Sequence, residues 1–141
     1  MIPTSSQTIG PFWHGLADPA LADLTRFGTS GAPRVLAGTV YDGDGAPVVD
    51  ACVEVWLPGV GWGRCATDAR GAYRFVVVEA PVIAVIVLAR GLLKPVWTRC
   101  YFDEPDITHA RRDTLRARLD GDLWRWDIRL QGPGETMFLT W

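Results

Sequence analysis

Residues 34–57 read RVLAGTVYDGDGAPVVDACVEVWL, and this stretch decides the fold. It opens on an apolar, β-prone run from Arg34 to Asp42. Asp42-Gly43-Asp44-Gly45 then reverses the chain, because Gly accepts positive φ and Asp bonds to backbone just ahead of it. From Ala51 to Leu57, the residues Ala51, Val53, Val55 and Leu57 alternate with Cys52, Glu54 and Trp56. Successive strand side chains point to opposite faces, so this is the pattern of a half-buried strand.

The same grammar extends toward the C-terminus. Pro58-Gly59-Val60-Gly61 ends the first alternation, and Gly63 to Thr67 reads as a short strand. Asp68-Ala69-Arg70-Gly71 turns into a strand from Ala72 to Val78. Val82 to Ala89 is continuously apolar, which is expected of a strand buried on both faces or set against a second chain. Val96 to Phe102 is a further strand, and residues 105–116 hold one short helical turn. In Asp122 to Leu130, Trp124, Trp126, Ile128 and Leu130 alternate with Arg125, Asp127 and Arg129. Gln131-Gly132-Pro133-Gly134 turns into a last strand, Glu135 to Trp141. The expectation is all-β: an antiparallel β-sandwich of about eight strands spanning 34–141.

Residues 1–33 differ. Pro3, Pro11, Pro19 and Pro33 alternate with Gly10, Gly15, Gly28 and Gly31, which forbids a long helix or strand. Phe12, Trp13, Leu16, Leu21, Leu24 and Phe27 would be wasted on a disordered tail. An extended N-terminal docking arm is expected.

Composition excludes several classes. The chain has 141 residues, 48% of them hydrophobic and 21% charged, a balance far from that of disordered chains. Lys and Arg number 14 against 16 Asp and Glu, so the basic excess of a phosphate-neutralising nucleic-acid binder is missing. The longest apolar run, Val82 to Ala89, falls far short of the roughly 20 residues of a membrane-spanning helix. The opening Met1-Ile2-Pro3-Thr4 shows neither a basic nor an apolar leader region, so a cytoplasmic location is expected. Cys52, Cys65 and Cys100 form no CxxC and read as reduced thiols packed as small hydrophobes. Seven Trp in so short a chain point to apolar surface covered by a partner, and two His are few for a metalloenzyme.

The motifs carry a resemblance. Val35 to Asp42, Pro47, Ala51 to Trp56 and Thr67-Asp68-x-x-Gly71-x-Tyr73-x-Phe75 resemble a prealbumin-like sandwich. Ser6-Gln7-Thr8-Ile9-Gly10-Pro11-Phe12 and Gly38-x-Val40-x-Asp42-Gly43-x-Gly45-x-Pro47 narrow this to the intradiol ring-cleavage dioxygenases. Ala89-Arg90-Gly91-Leu92-Leu93, Thr98-Arg99-x-Tyr101-Phe102 and Asp127-Ile128-x-Leu130-Gln131-Gly132-x-Gly134-Glu135-Thr136-x-Phe138 resemble, within that family, the protocatechuate 3,4-dioxygenase alpha chains.

The resemblance implies a non-catalytic alpha subunit that assembles with a homologous beta subunit. In the family the beta subunit holds Fe(III) through two Tyr and two His, and cleaves protocatechuate with O2 to 3-carboxy-cis,cis-muconate, a step of the beta-ketoadipate pathway. The family's two His lie in a His-x-His pair on one strand. Val82 and Ala84 stand at those positions here, so no metal or other cofactor is expected in this chain, and Fe(III) is expected in the partner. No catalytic residue is expected either. The loops at 56–63 and 79–81 look shortened against the family. The resemblance gives Gly10, Pro11, Phe12 and Arg90 as a wall of the partner's substrate pocket. Phe12 replaces the family's Tyr and loses its hydroxyl, and Arg90 would attract an anionic aromatic acid or else pair with an acid such as Glu135. Tyr41, Tyr73 and Tyr101 read as packing residues. His14 reads as a surface residue or a neighbour of the partner's pocket, and His109 as solvated. Two alternatives stand beside this reading: a prealbumin-like binding or structural module with no dioxygenase role, and a stand-alone enzyme with a relocated metal site.

Overall fold

A computed structural model describes residues 8–10, 12–28 and 30–139. Among them nine strands form two facing sheets. β1 (Pro33–Tyr41) lies beside β4 (Ala72–Val78) in one sheet, with β7 (Arg118–Asp120), β8 (Leu123–Arg125) and β9 (Ile128–Arg129). β2 (Cys52–Leu57), β3 (Gly61–Ala66), β5 (Val82–Leu88) and β6 (Val96–Tyr101) form the other, in the order β3-β2-β5-β6. The expected β-sandwich is therefore present, and its sheets are mainly antiparallel. The exceptions are β8 and β9, which run parallel to β1.

Alternation places the core between the sheets. Val53, Val55 and Leu57 of β2 and Ile83, Val85 and Val87 of β5 are buried, facing Leu36, Val40, Phe75 and Val77. Only one face of β5 is sealed in this way: Val82, Ala84, Ile86 and Leu88 stay half-exposed on the other. Thr67 locks the turn ahead of β2. Its buried hydroxyl accepts from the Ala51 N–H at 3.0 Å and donates to the Val48 carbonyl at 2.8 Å.

Four features depart from the sequence expectation. The arm is not extended but folds into 3-10 turns at Trp13–Leu16, Pro19–Ala22 and Leu24–Phe27. Asp18 and Asp23 cap the second and third by accepting from Ala20 and Thr25 N–H. The alternating run at 122–130 is two strands, because the Asp127 carboxylate takes the Thr39 N–H at 2.9 Å where a backbone carbonyl would otherwise pair. β7 was not expected. The last strand is replaced, among the described residues, by a crossing segment that bridges β6 only at Leu139 opposite Trp97. Met137 N–H donates to the Thr114 hydroxyl and Met137 carbonyl accepts from Thr98, so side chains satisfy this backbone. The helical turn expected within 105–116 is found at Arg112–Leu115. No helix among the described residues is long and apolar enough to cross a membrane.

Candidate functional site

Four segments far apart in sequence meet at one end of the sandwich. The Thr8 hydroxyl donates to the Ala89 carbonyl at 3.0 Å, and the Trp13 indole N–H donates to the Asp50 carbonyl at 3.1 Å. The Asp50 carboxylate in turn pairs with Nε of Arg90. A cleft of about 430 Å³ opens there, bordered by Asp42, Gly43, Pro47, Arg90, Gly91 and Gln131. Its two hairpin turns touch: a Cβ on Gly132 would lie 2.8 Å from the Gly43 carbonyl, so only glycine fits.

The strand order produces this meeting. β2 begins just after Asp50, and β5 ends just before Ala89. The two strands are antiparallel neighbours, with Cys52 opposite Leu88. Adjacent antiparallel strands therefore deliver Asp50 and Arg90 to the same edge. Gly91 follows with φ of 86°, which turns the chain directly after the arginine.

Chemically, Arg90 is anchored at one atom and open at the rest. Its side chain is 60% exposed while that of Asp50 is only 13% exposed. A guanidinium held through Nε keeps its two Nη groups for a planar oxyanion. Phe12 projects into solvent at 85% exposure. An added Cβ at Gly10 would meet nothing within 4 Å, so no crowding inside this chain requires glycine there. Pro11 lies outside the described residues, as do Ser6, Gln7, Trp141 and the side chain of His14.

Other sequence expectations resolve as follows. Glu135 pairs with Arg111 at 2.6 Å, so it is not the acid that holds Arg90; Asp50 is, because it lies just ahead of the neighbouring strand β2. Nothing in the sequence singled out Asp50, since an acid before a strand is an ordinary turn residue. Thr98 is buried and donates to Met137, and the Arg99 Nη1 lies 3.5 Å from the Tyr101 hydroxyl. Tyr73 sits in the core, donates to the Trp126 carbonyl, and its phenol is pushed well above the usual range by burial. Tyr41 packs under Arg129, whose guanidinium carbon lies 5.5 Å from the ring centroid. His109 Nδ1 accepts from the exposed Arg111 N–H. All three cysteines are free, and burial pushes Cys52 up to about 12 and raises Cys100 further.

The residues at the expected metal positions do not fit an iron ion. Val82 and Ala84 lie on the outer face of β5 and offer carbon only. Among the described residues, no three His, Cys, Asp or Glu side chains converge as a ligand set.

No family model matches the chain. The protocatechuate 3,4-dioxygenase alpha chain of Burkholderia cepacia is 32% identical over 188 aligned positions, covering 96% of this chain and 95% of the relative. That of Pseudomonas putida is 34% identical over 191 positions, covering 96% and 94%. Both alignments are longer than the 141 residues available, so these relatives carry insertions that this chain lacks. The beta chain of Burkholderia cepacia is 30% identical over 94 positions, 52% of this chain and 39% of the relative. Among solved structures, the dioxygenase domain of a dioxygenase and carbohydrate-binding fusion from Streptomyces sp. SirexAA-E superposes with a TM-score of 0.60. It is 18% identical and is matched over 79% of this chain and 88% of its own, a likeness of fold.

Proposed function

The chain belongs to the family of protocatechuate 3,4-dioxygenase alpha chains, and from that membership we propose that it is a non-catalytic alpha subunit of such an enzyme. Its partner is a homologous beta subunit that carries Fe(III) and cleaves protocatechuate with O2 to 3-carboxy-cis,cis-muconate in the cytoplasm. This chain supplies a wall to the partner's substrate pocket through Gly10, Pro11, Phe12 and Arg90. On its own it is inactive.

One observation carries the reading. The arm end, the Arg90 motif and the two hairpin turns, which span the resemblance to the family, gather at one end of the sandwich around an arginine with open Nη groups. The arm residues 8–13 and Arg90 then act as one surface. Phe12 adds an exposed apolar ring to it, and Arg90 a fixed positive charge suited to a substrate carboxylate. Residues 1–33 act as the docking arm and 34–141 as the sandwich that presents it.

The test is co-expression of the tagged chain with the homologous beta chain. Co-purification, ring-cleavage activity of the pair on protocatechuate, and iron confined to the beta chain are the expected results. Failure to co-purify, or a partner equally active without this chain, would overturn the reading in favour of a binding module with no dioxygenase role. Stoichiometric iron in the isolated chain would instead establish a relocated metal site.

A further inference from the structure

Two arm side chains reach backbone that the sheet's own ladder leaves open. β2 and β5 pair as far as Cys52 opposite Leu88, and the same register carried two residues further sets Asp50 against Arg90. The ladder has ended there. Among the described residues no backbone N–H donates to the Asp50 carbonyl. The Trp13 indole N–H does so instead, at 3.1 Å. The Thr8 hydroxyl donates to the carbonyl of Ala89, the residue before Arg90. The arm therefore grips the chain on both sides of the Asp50–Arg90 ion pair. Phe12 stays in solvent, while its neighbour Trp13 is half-buried against the sandwich.

The ion pair needs such a grip. An exposed pair holds two side chains only weakly, because solvent screens it and both side chains lose freedom in making it. The Arg90 side chain is largely exposed and anchored through Nε, so the direction of its guanidinium follows the Asp50 carboxylate. That carboxylate belongs to a short side chain that is mostly covered, and its direction follows the Asp50 backbone.

Trp13 holds that backbone. An indole carries a donor and no acceptor, and it has only two rotatable bonds, so it fixes a carbonyl at small cost in side-chain freedom. The order of dependence is then Trp13, the Asp50 peptide, the Asp50 carboxylate, the Arg90 guanidinium. A guanidinium aimed before its ligand arrives binds a planar oxyanion more tightly than one that must first be ordered.

We propose that Trp13 is a positioning residue for Arg90: its hydrogen bond to the Asp50 carbonyl sets the carboxylate that aims the guanidinium, so recognition of a substrate carboxylate depends on the docked arm. The consequence for substrate rests on the subunit reading. The coupling of Trp13 to Arg90 lies wholly within this chain and does not.

Trp13→Phe keeps an aromatic ring and removes the N–H. Should it fail to fold, 3-benzothienylalanine at position 13 puts sulfur in place of the N–H within the same shape. In the full-length chain labelled with 15N, the Arg90 Nε–H resonance, assigned by its loss in Arg90→Lys, reports the pair with Asp50. Trp13→Phe should move it toward its position in Asp50→Ala, which keeps the carbonyl and has no carboxylate, and should speed its exchange with water several-fold. The second measurement uses the complex with the beta chain. With O2 excluded, protocatechuate and catechol bind without being consumed, and they differ by the carboxylate. Trp13→Phe should weaken protocatechuate several-fold and leave catechol unchanged. In an Arg90→Ala background it should add nothing, because two residues acting through one contact are not additive. An unmoved Arg90 resonance, an equal loss for both ligands, or a further loss on top of Arg90→Ala would each overturn the assignment, and a merely structural role for Trp13 gives the second or third. The subunit reading fails separately, if the unaltered chain does not co-purify with the beta chain or if Arg90→Ala leaves protocatechuate binding unchanged. The Arg90 resonance then still decides whether Trp13 sets Arg90.

Discussion

Thr67 and Asp68 show how much two adjacent side chains can organise. Thr67 is buried and bonds to backbone on both sides of the loop before β2. Thr67→Val keeps its shape and leaves the Ala51 N–H and Val48 carbonyl unpaired. Such buried orphans cost about 1–3 kcal/mol, so urea denaturation should show a loss of that size. Asp68 works by charge. Its carboxylate accepts from the N–H groups of Ala72 at 2.9 Å and Arg70 at 2.7 Å, and these bonds hold its pKa below the usual carboxylate range. A depressed folded pKa contributes stability above the unfolded value, near 3.9, and loses it as pH falls through the folded value. Asp68→Asn keeps an acceptor and removes the titration. The stability difference between the two proteins, measured by chemical denaturation, should therefore shrink as pH falls below about 4. A difference that stays constant to pH 2 would refute the linkage.

At the scale of elements, β1 is held more tightly than its sequence suggests. A Cβ on Gly38 would lie 1.8 Å from the Trp126 carbonyl oxygen and 2.9 Å from the Tyr73 hydroxyl. Both obstacles belong to the core, and Trp126 is further pinned by its indole N–H on the Thr114 carbonyl at 2.8 Å. Gly38→Ala should thus destabilise by about 3 kcal/mol or more, beyond ordinary overpacking, as a lowered midpoint in thermal unfolding. The elements legible in the sequence were those with an apolar or alternating run set between turn signals: β1 to β6 lie within one or two residues of expectation. β7 carries no rhythm, being Arg-Leu-Asp with all three residues exposed, so nothing distinguished it from a loop. The 122–130 run had the rhythm, but Asp127 interrupts the ladder through a side-chain bond that spacing cannot express. Residues 135–138 looked strand-like and take their partners from Thr114, Thr98 and Arg129 instead. In the same way the motifs marked Arg90, while its partner Asp50 emerged only from the antiparallel pairing of β2 with β5.

At the scale of the whole molecule, the arm divides into a half that folds and a half that is presented. Leu24 is completely buried in the main core, and Leu21, Leu24 and Phe27 lie close against Gly63 and Gly61 of β3. Arg26 ties this half down further by donating to the Trp62 carbonyl at 2.8 Å. Phe12, only twelve residues earlier, keeps 85% of its surface in solvent. These two positions should separate folding from assembly. Leu24→Ala opens a core cavity and should cost about 2–5 kcal/mol in the isolated chain. Phe12→Ala removes nothing that the isolated chain packs, so its unfolding free energy should change by less than about 0.5 kcal/mol. Arg90→Ala likewise loses an exposed ion pair worth at most about 1 kcal/mol. If the arm end and Arg90 form the partner's pocket wall, the order reverses in the assembled enzyme. Phe12→Ala should weaken association with the beta chain, read by sedimentation. Arg90→Ala should raise KM for protocatechuate several-fold while kcat changes less, because a fixed guanidinium contributes to binding the ring's carboxylate rather than to opening the ring. Equal effects on KM and kcat, or none, would place Arg90 outside the pocket and leave its pair with Asp50 as a clasp between strands.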